Sequence, residues 1–100
     1  MEITINQEDN LTLITLAGRL DTVAAVDFAA RTEALCANPT TDITVDCGKL
    51  EYISSSGIRT FVALLKGCKG AGKTMRMENV EESVRHVFLL TGLARLFNLQ

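Results

Sequence analysis

Apolar and polar positions alternate at the start of the chain, where Ile3 and Ile5 stand among Glu2, Thr4 and Asn6, the period of a half-buried strand. Gln7-Glu8-Asp9-Asn10 is a polar turn, and Leu11 to Ala17 reads as a second strand that Gly18 breaks. The short connection predicts an antiparallel hairpin. The period then changes. Ala25, Phe28, Ala29, Thr32, Leu35 and Cys36 recur at helical spacing, with Asp27, Arg31 and Glu33 off that face. Asp21 or Thr22 is placed to cap this helix, and Asn38-Pro39 ends it.

Ile43 to Cys47 is short and β-branched, an interior strand reached by a crossover. Glu51-Tyr52-Ile53 reads as a strand end, followed by the turn Ser54-Ser55-Ser56-Gly57. In the next helix Ile58, Phe61, Val62, Leu65 and Cys68 share a face, with Arg59, Thr60 and Lys66 off it. After Gly70 and Gly72, Thr74 to Met77 alternates as a strand nearer the sheet edge. Asn79 is the expected cap of a further helix with Glu81 and Glu82 in its first turn, a Val80–Val84–Val87–Phe88 stripe, and Gly92 at its end. Leu93, Leu96 and Phe97 suggest a short last helix. The expected class is α/β, with the order β-β-α-β-α-β-α, a helical tail and a mixed sheet covered by helices. Residues 1–100 form one domain in this reading. Asp21-Thr22 and the serine turn should lie on one edge, where such folds hold their working loops.

Composition narrows the function. A formal net charge of −2 argues against direct nucleic-acid binding, which favours a basic surface. No tract approaches the roughly 18 apolar residues of a membrane span, and Met1-Glu2-Ile3 does not open a signal peptide, so the expectation is cytoplasmic with no membrane insertion. Cys36, Cys47 and Cys68 are widely spaced beside a single histidine, His86. They predict buried reduced thiols, with no metal site and no cofactor.

Gly67-Cys68-Lys69-Gly70-Ala71-Gly72-Lys73-Thr74 matches the phosphate-loop pattern G-x-x-x-x-G-K-[ST]. That loop needs a strand before it and a helix after it, so that backbone N–H groups converge on phosphate. Here a helix precedes and a strand follows, so the glycines are read as turn chemistry. Ser56, Asp21 and His86 supply the residue types of a hydrolase triad, but the serine lacks an elbow glycine two positions before it, and His86 lies off the apolar stripe beside Glu82. The chain is read as no enzyme.

The serine turn has two readings. Ser54 or Ser55 caps the helix that follows, or one serine carries a phosphate. A phosphoserine adds roughly −1.5 to −2 charge, which the N–H groups and dipole of a helix N-terminus favour. Gly57 would leave the backbone beside the hydroxyl open to a kinase.

The run from Asp46 to Arg59, with Gly18-Arg19-Leu20-Asp21 before it and Thr91 to Phe97 at the end, resembles the STAS domains, especially bacterial anti-sigma factor antagonists. The resemblance covers essentially the whole chain. It implies a small α/β domain without catalytic activity, phosphorylated at Ser56, that binds an anti-sigma factor which is also a serine kinase. Binding frees the sigma factor for transcription; phosphorylation releases the antagonist, and a serine phosphatase resets it. Asp21 matches an aspartate that contributes to the kinase contact. Thr22, Ser54, Ser55, Gly57 and Arg59 complete the expected partner-binding edge. This sequence departs from the phosphorylated members at Ser54, often aspartate there, and at Arg59, often glycine. Other STAS domains act without a phosphate, so an adaptor subunit of a lipid or solute transporter is the alternative.

Overall fold

The computed structural model describes residues 1–92, 95, 98 and 99. In order along the chain these form β1 (Glu2–Gln7), β2 (Leu11–Leu20), α1 (Thr22–Ala37), β3 (Asp42–Ile53), α2 (Ser55–Gly70), β4 (Met75–Glu78), α3 (Glu82–Leu90) and β5 (Asn98–Leu99). As far as α3 the order β-β-α-β-α-β-α is the one the periodicity predicts, and β5, paired with β4, is a strand that it does not predict. The short helix expected from Leu93, Leu96 and Phe97 lies outside the described residues.

The strands line up in sequence order, β1-β2-β3-β4-β5. A hairpin makes β1 and β2 antiparallel, and every later pairing is parallel. Each parallel pair from β2 to β4 is joined by one helix, as a crossover requires. Along β2 fully buried Thr12, Ile14 and Leu16 alternate with partly exposed neighbours, so one face of the sheet carries the core. Ile14, Leu16, Val45 and Met77 are all fully buried there. The helices close over that face through a chain of rings. Phe28 of α1 meets Phe61 of α2 edge-on at 5.5 Å, and Phe61 meets Phe88 of α3 at 6.0 Å, both within the range of favourable aromatic pairs.

Several local expectations are corrected. Gly18 does not end its strand. With φ of +103° it sits beside a register shift, and β2 continues through Arg19 to Leu20; glycine here bends a strand that keeps pairing. Asn79 does not cap α3, which begins after Glu81 without a side-chain cap. It takes φ of +56° instead, and its amide donates to Asp46 Oδ1 at 3.2 Å. That carboxylate also accepts from the Gly48 N–H at 3.0 Å, so one aspartate holds the irregular middle of β3. Ala29 is exposed on α1 and Thr60 is buried on α2. The buried stripe of α2 runs through Gly57, Thr60, Phe61, Leu64, Leu65 and Cys68, turned from the one expected because the side without a Cβ at Gly57 lies against the sheet.

The phosphate-loop match falls on the last turns of α2 and the link to β4. Gly72 has φ of +71°, and the Lys73 N–H donates to the Cys68 carbonyl. This is a helix C-terminus, whose free groups are carbonyls rather than anion-binding N–H groups. His86 is exposed on α3.

Candidate functional site: two helix starts on one strand edge

Leu20, the last residue of β2, pairs with Ile53, the last of β3. Parallel strands that end level must send their following helices off the same edge. The Ser54 N–H still donates to the Leu20 carbonyl at 2.8 Å, so the ladder runs one residue past the end of β3. The two helix caps therefore stand side by side. Asp21 is the N-cap of α1, where its Oδ1 accepts from the Ala24 N–H at 2.8 Å. Ser54 is the N-cap of α2, where its Oγ accepts from the Gly57 N–H at 3.2 Å. Each cap satisfies one of the N–H donors a helix start leaves free.

The three serines are no longer equivalent. Ser54 is buried and its hydroxyl is committed to the cap. Ser55 is exposed and Ser56 half-buried, and among the described residues neither hydroxyl makes a hydrogen bond. Ser56 is the second residue of α2. The first turn of α2 holds no carboxylate, so an anion there meets a helix dipole without a competing charge. Arg59 follows one turn later, exposed and without an ion pair among the described residues. Thr22 is exposed beside Asp21.

Gly57 serves another purpose than the one expected of it. It is buried, and a Cβ at this position would lie 2.7 Å from Leu20 Cδ2 and 3.2 Å from Ile53 Cγ1. Its missing side chain lets α2 sit down on the ends of β2 and β3. That close seat fixes where Ser55 and Ser56 emerge.

Two features of this edge escape the sequence reading. Val23 and Val26, in the first turns of α1, are 81% and 70% exposed, an apolar pair next to Asp21. Their i, i+3 spacing on the side away from Ala25 and Phe28 is the signal that was available. On the open face of the sheet the Arg19 guanidinium lies 4.3 Å from the Tyr52 ring centroid, a cation–π contact between paired residues of β2 and β3. Its cross-strand partner was invisible without the register.

Among the described residues no group of three His, Cys, Asp or Glu side chains is placed to hold a metal ion. Burial raises all three thiols above their ordinary range, that of Cys47 to about 12, with the neighbouring Asp46 charge adding to it. They stay protonated near neutrality, and the thiolate is the reactive form. Among the described residues no helix is long and apolar enough to cross a membrane.

A small sheet with two capped helix starts on one edge defines a domain of the α/β type. Comparison with known proteins makes that specific. The family model described as Mlab, STAS domain matches residues 3–99. The chain belongs to the STAS domain family. It is 24% identical over 99 residues to the anti-sigma-B factor antagonist of Bacillus subtilis (strain 168), covering 99% of this chain and 90% of that one. The fold is that of SpoIIAA, an anti-sigma factor antagonist, in its unphosphorylated form, with a TM-score of 0.83 at 21% identity over 99% of this chain and 88% of that one. The phosphorylated form of the Bacillus cell fate determinant SpoIIAA gives a TM-score of 0.77 at 18% identity, covering 99% and 91%.

Proposed function

We propose that this chain is an anti-sigma factor antagonist: a protein-binding switch in the cytoplasm, without catalytic activity, controlled by phosphate at Ser56. Its partner is an anti-sigma factor that is also a serine kinase, and a serine phosphatase returns it to the binding form. The binding edge is Asp21 and Thr22 at the start of α1 with Ser54, Ser55, Ser56, Gly57 and Arg59 at the start of α2. Ser54 and Gly57, both buried, act there by fixing the helix start and its seat on the strand ends.

One observation carries this reading. Of the three serines, Ser54 alone holds the cap, which leaves Ser55 and Ser56 with free hydroxyls in the first turn of a helix beside the capped start of α1, and of these Ser56, directly before Gly57, is the one the family resemblance implies. A phosphate there meets helix N–H groups and needs no refolding. Support also comes from the relatives, which are named antagonists of anti-sigma factors, and from a protein of this fold that exists in both phosphorylated and unphosphorylated forms.

Release follows from electrostatics. A dianion placed in a desolvated contact costs several kcal/mol unless the partner supplies a group to pair it, and a surface built for the unmodified serine supplies none. The test is affinity for the kinase recovered and identified from the native cell, with intact-mass measurement of this chain before and after ATP. Ser56→Ala should bind like the unmodified chain and gain no phosphate, and Ser56→Asp should bind at least about tenfold more weakly. Equal affinity of the two variants rejects the switch.

A second reading, an adaptor subunit of a lipid or solute transporter working without phosphate, is favoured by Arg59, which puts a standing cation one turn from Ser56. A co-purifying ATPase and a mass that never shows phosphate would select it.

A further inference from the structure

Charge is distributed unevenly along this chain. Residues 52–77 carry Arg59, Lys66, Lys69, Lys73 and Arg76 and not one carboxylate, although the net charge of the chain is −2. Arg76 pairs with Glu78 at 3.7 Å. The three cations on α2, namely Arg59, Lys66 and Lys69, are exposed and form no ion pair among the described residues. Arg59 and Lys66 are seven residues apart, two turns on the same side of the helix and about 10 Å along its axis. The outer side of α2 is thus a cationic strip beginning one turn after Ser56.

Beside the strip lies an open, largely apolar groove of about 750 Å³, between the end of α1 and the second half of α2. Its walls are small: Cys36 and Pro39 on one side, Ala63 and Gly67 on the other, with Lys66 and Glu33 at its edges. The groove is shallow because the helices touch at its floor, where a Cβ on Gly67 would run into the Cys36 carbonyl oxygen. The α1 lip of the groove carries one carboxylate, the exposed Glu33.

We infer that this groove docks a helix of a partner protein whose carboxylates, spaced seven residues apart, face Arg59 and Lys66 while its small apolar residues fill the space between. This deepens the proposed function by giving the chemistry of the partner, and rests on reading the chain as a protein-binding module. Charge complementarity selects a protein. A nucleic acid or an anionic bilayer presents one sign of charge throughout and would meet Glu33 at the groove without filling its apolar walls, whereas a helix can place different charges on its two flanks and small apolar residues between them. Phosphate on Ser56 and the partner's first carboxylate would then compete for Arg59.

The test uses the full chain, ¹⁵N-labelled, and a 15-residue helical peptide with glutamates at seven-residue spacing and alanine or leucine between them. Its counterpart with lysine at those positions, a 20-nucleotide single-stranded DNA and phosphatidylserine vesicles complete the set. The acidic peptide should shift the backbone resonances of Arg59, Ala63, Lys66 and Gly70. The double variant Arg59→Glu with Lys66→Glu should weaken its binding about tenfold or more, whereas Arg85→Glu, the same kind of change placed on α3, should leave it unaltered. Circular dichroism confirms that the variants fold. Absence of shifts, shifts elsewhere, equal binding of the lysine peptide, or stronger binding of DNA or vesicles would each overturn the inference. The Ser56 variants are not used, so this result and the failure of the phosphate switch are separate outcomes.

Discussion

Replacing Gly57 with alanine adds one methyl group where α2 rests on the strand ends. The new carbon would lie 2.7 Å from Leu20 Cδ2, 2.9 Å from Leu20 Cγ and 3.2 Å from Ile53 Cγ1. Carbon atoms in contact prefer about 3.5–4.0 Å, so something must move by nearly 1 Å. Leu20 is fully buried and Ile53 only 4% exposed, so neither has free space to enter. Overpacking of this size costs about 1–3 kcal/mol. Alanine gives back at most about 1 kcal/mol of helix propensity, and less in a first turn. The net expectation is a loss of about 1–2 kcal/mol, read as a lower urea midpoint with an unchanged slope, and a Tm lower by roughly 5–15 °C. Gly70→Ala is the control, because a Cβ there meets nothing within 4 Å; it should be neutral or slightly stabilising. A double-mutant cycle locates the strain. Leu20→Ala alone costs about 3 kcal/mol, but it opens the space the new methyl needs, so the pair should cost less than the two changes added. A Gly57→Ala protein as stable as the parent, or strict additivity with Leu20→Ala, would show that the close seat of α2 does not constrain the site.

Ser54→Ala should cost about 1–2 kcal/mol, since it removes the cap and strands the buried Gly57 N–H. Ser55→Ala, at an exposed position, should stay within about 0.5 kcal/mol; urea titrations that rank the two alike contradict the assignment of the cap. Cys47, fully buried, has its pKa raised from 9.0 to about 12 in the folded chain. The unfolded thiol ionises first, so the stability this group contributes is whole below about pH 9 and is lost as pH rises from there toward 12, at no more than about 1.4 kcal/mol per pH unit. In Cys47→Ala the fall should be shallower, and an identical fall in urea stability would rule out this thiol as its source. Half-buried Cys36 should react with thiol reagents in the native state well before Cys47.

Periodicity identifies an element well where one neighbour decides burial. Alternation marks β1 and β4 because each lies toward an edge of the sheet with one face covered. The exclusion of the phosphate loop needed only chain order, helix before and strand after, and that order is local information. The readings that failed share a cause. Gly18 reads as a strand end because glycine breaks strands, yet it makes a bend that β3 continues to pair with. Asn79 reads as a cap because asparagine caps helices, yet it tolerates positive φ and its amide has a partner in Asp46, 33 residues earlier. Thr60 reads as solvent-facing by its polarity, but the rotation of α2 about its axis is set by where Gly57 can approach Leu20.

The site divides along the same line. Sequence alone determined that Asp21 and the serines stand where helices begin, because capping chemistry is confined to a few adjacent residues. It also determined the order of strands and helices, and with it that both turns leave the sheet on one edge. Only the tertiary structure decided which serine holds the cap and which two are left free, since that depends on one Oγ reaching one N–H. It alone decided that Gly57 faces inward, and that Lys66 of α2 stands across a groove from Glu33 of α1. The last two relations join residues that are far apart in the chain, Gly57 with Leu20 and Lys66 with Glu33, and a local pattern carries no record of the distance between them.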